Sequence, residues 1–117
     1  MNIELSKGKC EACNIDVPSL SGYEIKKLHS QIQSWSIIKD EDGVKRLICA
    51  FAFKNYDESL KFTNIVAKLA EEEDHHPEII LEWGKVTVSW WSHKIKGLHQ
   101  NDFICAAKTD ELFNSFD

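Results

Sequence analysis

Basic charge is scarce in this sequence. Lys and Arg total 14 against 19 Asp and Glu, which leaves a formal net charge of -5 and a sequence pI near 5.5. That balance disfavours direct capture of nucleic acid or of an anionic membrane surface. Long apolar runs are missing too, and nothing approaches the roughly 20 residues of a membrane-spanning helix. The stretch from Met1 to Cys13 carries Asn, Glu, Lys and Gly where a secretory signal would have a basic start and an apolar core. The expected location is therefore the cytoplasm, with no membrane partner. Cysteine is limited to Cys10, Cys13, Cys49 and Cys105, which are expected as free thiols in that compartment. Cys10-Glu11-Ala12-Cys13 has the spacing of a zinc half-site or redox motif, but no second CxxC follows and no strand precedes it, so the pair reads as structural or incidental. There is no GxSxG turn and no low-complexity segment, nor any repeat beyond an approximate ββα echo. What is present, 117 residues of which 43% are hydrophobic, suits one compact domain.

The chain divides into an N-terminal arm, residues 1–18, and a single domain, residues 19–117. Within the domain, Ile25, Leu28 and Ile32 recur at helical spacing and predict an amphipathic helix from Ser21 to Gln33. Trp35 to Lys39 has strand composition. Asp40-Glu41-Asp42-Gly43 supplies turn chemistry that leads into a second strand from Val44 to Phe53, with Leu47, Cys49, Phe51 and Phe53 facing the core. Asn55 and Glu58 have the spacing of a capping box, and Phe62, Ile65, Val66, Leu69 and Ala70 carry the following helix to Glu73. Pro77 ends it. Ile79 to Trp83 and Lys85 to Trp91 form a second hairpin around Gly84, and a last helix is expected over Asn101 to Phe113, with Phe103, Ala106, Ala107 and either Asp110 or Leu112 inward. The order α-β-β-α-β-β-α predicts an α+β fold: a four-stranded antiparallel sheet with helices packed on one face.

Chemistry concentrates in Glu71-Glu72-Glu73-Asp74-His75-His76-Pro77. Four acidic residues at a helix C-terminus oppose the macrodipole, so helix stability alone would not select them. Carboxylates beside imidazoles favour the protonated ring, which suits a general acid near neutral pH. The plainer reading is a solvated helix end followed by polar loop residues. His93, at the end of the last strand, is placed to meet the His-His-Pro turn. Adjacent His75 and His76 do not readily present both rings to one metal, and no ligand pair stands at i, i+4 on a helix, so no metal is expected. Acid–base chemistry on a small molecule remains.

The ordered array Glu71-x3-His75-His76-Pro77-x5-Trp83-x9-His93-x8-Asp102 resembles the signature of the pterin-4a-carbinolamine dehydratase family. Its flanks, including Phe62-Thr63-Asn64, Val86-Thr87-Val88-Ser89-Trp90-Trp91-Ser92 and Ile95-Lys96-Gly97-Leu98, resemble the bacterial branch associated with phenylalanine hydroxylase. The resemblance implies a cofactor-free lyase that dehydrates a 4a-hydroxytetrahydropterin to quinonoid dihydropterin and water. It implies a catalytic set of His75, His76 and His93, in which His75 and His93 exchange protons and His76 mainly holds the pterin. Glu71 and Asp74 would orient or tune those rings. Trp35 would pack near the pterin, although it reads equally well as a core aromatic. Asp102 fits the signature, but similar chains usually have Ser or Thr where His99 stands, so Asp102 reads as a substrate contact or as a helix-start residue. The resemblance further implies a homodimer or homotetramer. The alternatives are a protein-binding regulatory module, as in relatives that stabilise a homeodomain transcription factor, and a zinc protein using Cys10, Cys13 and histidines.

Overall fold

The computed structural model describes residues 5–8 and 20–116. The Cys10–Cys13 pair and the arm boundary expected near Ser19 lie outside the described residues. The elements are α1 (Gly22–His29), β1 (Ser36–Lys39), β2 (Lys45–Ala52), α2 (Tyr56–Glu73), β3 (Glu78–Glu82), β4 (Lys85–Trp90) and α3 (Gln100–Asn114), with one 3-10 turn at Leu5–Lys7. They form the expected α+β architecture. The strands make one antiparallel sheet in the order β1-β2-β4-β3, so β4 and β2 are central.

Local chemistry starts and stops these elements. The Ser21 hydroxyl accepts from the Glu24 N–H while Glu24 accepts from the Ser21 N–H, a reciprocal cap that opens α1. In the first hairpin, Asp40 Oδ1 accepts from the N–H groups of Asp42 and Val44. Those bonds, that from Val44 foremost, together with Arg46, hold the Asp40 carboxyl below its ordinary range despite an opposing desolvation effect. Asn55 caps α2 by accepting from the Glu58 N–H, but the Glu58 side chain reaches back to the N–H of Lys54, one residue earlier than a capping box requires. Gly84, at φ +73°, turns β3 into β4.

Four elements are shorter than their sequence patterns, β2 and β4 by only a residue at one or both ends, α1 and β1 through one irregular segment between them. α1 ends at His29, and Ile32 is buried from the turn that follows, where its N–H meets the His29 carbonyl. β1 begins at Ser36 because the Trp35 N–H bonds back to the Ile32 carbonyl in that same irregular segment. Leu47 and Phe51 of β2 join Val86, Val88 and Trp90 of β4 on the face that meets Phe62, Val66 and Leu69 of α2 and Phe103 and Ile104 of α3. Ala50, Ala52 and Ile80 stand exposed on the other face. Residues 101–107 of α3 are buried on all sides, since this helix touches α1, α2, the sheet and the 3-10 turn whose Leu5 joins the core. That enclosure explains why its apolar stripe is weak in the sequence: a helix covered all round has no solvent face to mark.

Candidate active site

The C-terminus of α2 aims the first histidine inward. Asp74 caps the helix in the left-handed region, at φ 51° and ψ 41°, and its N–H returns to the carbonyls of Ala70 and Glu71. Asp is one of the few residues besides Gly that tolerate this conformation. The N–H of His75 bonds to the Ala70 carbonyl, so the chain reverses sharply and drives the His75 ring beneath the end of β4. There the ring stacks on Trp90, with centroids 5.5 Å apart and planes 12° from parallel. Trp90 is fixed in turn by its Nε1–H, which donates to the Thr109 hydroxyl on α3.

His75 meets a carboxylate from across the chain. Its Nε2 donates to Asp102 Oδ1 at 2.6 Å, with 4% of the His75 side chain and 0% of Asp102 exposed. The other oxygen, Oδ2, accepts from the Ser92 hydroxyl at 2.8 Å and from the His99 N–H at 2.9 Å. A buried carboxylate is costly unless donors surround it, and these three supply that compensation. Asp102 thus combines two functions. It is the N3 residue of a reciprocal cap on α3, in which His99 Nδ1 accepts from the Asn101 N–H, and it is the anchor of a buried imidazole.

Two more histidines lie at the surface beside this buried pair. His93 Nε2 points at the carbonyl of His76 across 3.4 Å, which brings the segment after β4 to the His-His-Pro turn. The His93 ring lies against Trp91, centroid to centroid 4.4 Å, and the Arg46 guanidinium covers Trp91 at 3.7 Å. Arg46 is held by Asp40 at 3.0 Å and by Glu78 at 3.7 Å. The exposed His76 ring is 3.4 Å from Glu71.

The acidic run therefore serves several purposes. Glu71 faces His76, Glu73 pairs with Lys108 at 3.1 Å, and Asp74 caps the helix. The carboxylate on His75 comes from α3 instead. Trp35 is a core residue, 1% exposed, its Nε1–H donating to Asp110 and its ring meeting Phe51 edge-on. Sequence reasoning missed Ser92, Trp90 and His99 as parts of the network. Ser92 carried no signal of its own, whereas His99 was marked by standing where a hydroxyl residue is usual.

Buried imidazole backed by carboxylate, flanked by surface imidazoles, is an arrangement for moving protons. Among the described residues, no three His, Cys, Asp or Glu side chains gather as a metal set would, and no helix is long and apolar enough to cross a membrane. Comparison with known proteins follows the same line. A protein of Nitrosococcus oceani, provisionally named a pterin-4-alpha-carbinolamine dehydratase, is 57% identical over 109 residues, covering 93% of this chain and 96% of its own. The crystal structure of a transcriptional coactivator/pterin dehydratase from Brucella melitensis superposes with a TM-score of 0.72 at 26% identity, over 80% of this chain and 97% of that one. A pterin dehydratase-like protein described as a RuBisCO assembly factor in the alpha-carboxysome gives a TM-score of 0.59 at 25% identity, over 70% of this chain and 92% of that one. The family model for pterin 4 alpha carbinolamine dehydratase matches residues 18–112, and with this coverage and these relatives the chain belongs to that family.

Proposed function

We propose that the protein is a hydro-lyase that removes water from a 4a-hydroxytetrahydropterin, yielding quinonoid dihydropterin. The observation that carries this reading is the 2.6 Å pair of His75 and Asp102, buried beside a turn where His76 and His93 also meet. In the reaction the C4a–O bond breaks with its electrons going to oxygen, which takes a proton. The N5 lone pair forms the C4a=N5 bond, and a base removes the N5 proton, so that water is the only loss. Hydroxide leaves poorly without that proton, so a positioned acid and a positioned base are the whole requirement.

In this reading His75 and His93 are the proton carriers. Asp102 fixes the His75 tautomer with Nε2 protonated and orients the ring for proton exchange. His93, held against Trp91, serves the opposite proton transfer, and the exposed His76 holds the pterin with Glu71 beside it. Asp74 acts through the backbone turn that places His75. The physiological setting is pterin recycling for phenylalanine hydroxylase in the cytoplasm, by a homodimer or homotetramer without metal or organic cofactor. The catalytic domain spans residues 19–117, and Leu5 from the preceding stretch packs into its core.

The test is a coupled assay in which phenylalanine hydroxylase generates the carbinolamine and quinonoid dihydropterin is followed. Acceleration by the wild type, lost on His75→Ala or His93→Ala in folded variants, supports the assignment; no acceleration overturns it. The names of the Brucella and carboxysome structures favour a second reading, a protein-binding module. That reading gains if the folded wild type leaves the coupled rate unchanged.

A further inference from the structure

The cap of α3 is itself an imidazole. His99 Nδ1 accepts the Asn101 N–H at 3.0 Å, and only an unprotonated ring nitrogen can do so. The His99 backbone N–H donates to Asp102 Oδ2 at 2.9 Å, so the cap and the anchor of His75 are parts of one first turn. A hydroxyl cap would satisfy the same N–H at any pH. An imidazole does so in only one of its charge states.

We propose that His99 is a positioning residue whose neutral ring holds the first turn of α3, and with it Asp102, where the carboxylate engages His75. The inference rests on the dehydratase reading of this site and adds to it a residue that takes no part in the chemistry. Proton uptake at His99 sets one N–H against another and puts positive charge at a helix N-terminus, which the macrodipole opposes. Among the described residues, the titratable groups bonded together at this point are Asp102 from α3 and, through it, His75 from the turn after α2; Ser92, from the segment after β4, brings a neutral hydroxyl. A charged His99 ring that turns towards Asp102 competes with His75 for the same carboxylate. Acid therefore loosens the site through its support.

The experiment compares the wild type with His99→Ser, which keeps a cap but cannot titrate, and His99→Ala, which has no cap. Rates in the coupled assay are measured between about pH 5.5 and about pH 8, the range in which imidazoles change charge. NMR on the wild type follows the ring nitrogens of His99 and the amide of Asn101 over the same range. Near the upper limit the Ser variant is expected within about twofold of the wild type in kcat, and the Ala variant about fivefold below, the equivalent of one lost cap. Near the lower limit the wild type is expected to fall about fivefold further than the Ser variant. The Asn101 amide should shift in step with the His99 ring.

Superimposable pH profiles for the wild type and the Ser variant would overturn the proposal. So would an Asn101 amide indifferent to the charge of His99, or an Ala variant equal to the wild type at every pH. If either variant fails to fold, the NMR titration of the wild type decides alone. A wild type without turnover at any pH overturns the dehydratase reading separately, and the titration still reads the cap.

Discussion

His75 and Asp102 stand 27 residues apart in the chain and 2.6 Å apart in space, the imidazole Nε2 against the carboxylate Oδ1, both shut off from solvent. The turn after α2 supplies one partner and the first turn of α3 the other. Replacing Asp102 by Asn tests what the charge does, because the amide keeps nearly the same shape. It retains an acceptor oxygen for Ser92 and His99 but presents an amide N–H, not a carboxylate oxygen, to His75 Nε2. In the coupled assay Asp102→Asn is expected to lower kcat by about 100-fold, within the range that positioned acid–base groups contribute, with a much smaller change in KM. A kcat within a few-fold of the wild type would take the pair out of the chemistry.

Trp91 offers a second test on the other side of the site. The His93 ring rests on it at 4.4 Å, and Arg46 covers it at 3.7 Å. Trp91→Leu removes the flat surface and is expected to lower kcat/KM about tenfold, while Trp91→Phe keeps most of the activity. Arg46→Met removes a cation–π contact of about 0.5–1 kcal/mol and should cost only a few-fold. Urea unfolding of each variant separates a displaced His93 from a damaged fold.

Much of this architecture was legible because its signals are local. Asp40 through Gly43, Asn55 before α2 and Gly84 between the last strands each act on backbone a few residues away, so spacing alone reveals them, whereas the Ser21–Glu24 cap of α1 went unread. The network around Asp102 depends instead on where β4 and α3 deliver their ends. Ser92 and Trp90 carry no sign of this role in the sequence, and His99 is marked only as a departure from the usual hydroxyl residue; all three become partners of one carboxylate or one ring only through the topology. Four acids beside two histidines suggested that the near neighbours do the tuning. The structure gives Glu73 to Lys108 and Asp74 to the helix cap, and brings the carboxylate on His75 from another helix. Leu5 teaches the same lesson, since Met1, Ile3 and Leu5 make an apolar stretch too short for burial against α3 to be read from it.

Asp110 gives a pH dependence with a definite sign. Burial raises its pKa above the ordinary aspartate value, and the bond from Trp35 Nε1–H opposes that shift only in part. A carboxyl raised in the folded state keeps its proton after the unfolded chain has lost it. Its contribution to stability is thus full below the unfolded pKa and is lost as pH rises through the folded pKa. Asp110→Asn keeps an oxygen to accept from Trp35 and removes the ionisation. The variant should melt higher than the wild type at neutral pH, and the difference should shrink once the solution is acid enough to protonate Asp110. A wild type that gains stability from this residue as pH rises, seen as a variant that melts lower at neutral pH, contradicts the argument.

Gly84 permits a test of stability kept apart from chemistry. Its φ of +73° lies in the left-handed region, and a Cβ added there would stand 3.2 Å from the Phe53 carbonyl oxygen. The Phe53 N–H already bonds to the Gly84 carbonyl at 2.9 Å, so the two backbones have little freedom to part. Gly84→Ala is expected to destabilise the fold by about 1–3 kcal/mol, read from the urea midpoint. Along β4 the distance from Lys85 to Trp90 is about 17 Å at the usual rise per residue, so the strained hairpin lies far from His75. Turnover well below the melting temperature should stay at the wild-type value. Gly84→Asn then divides the two causes: Asn accepts positive φ more readily than Ala but brings the same Cβ to Phe53. Recovery of most of the lost stability with Asn assigns the penalty to backbone conformation, whereas an equal loss assigns it to the contact with Phe53.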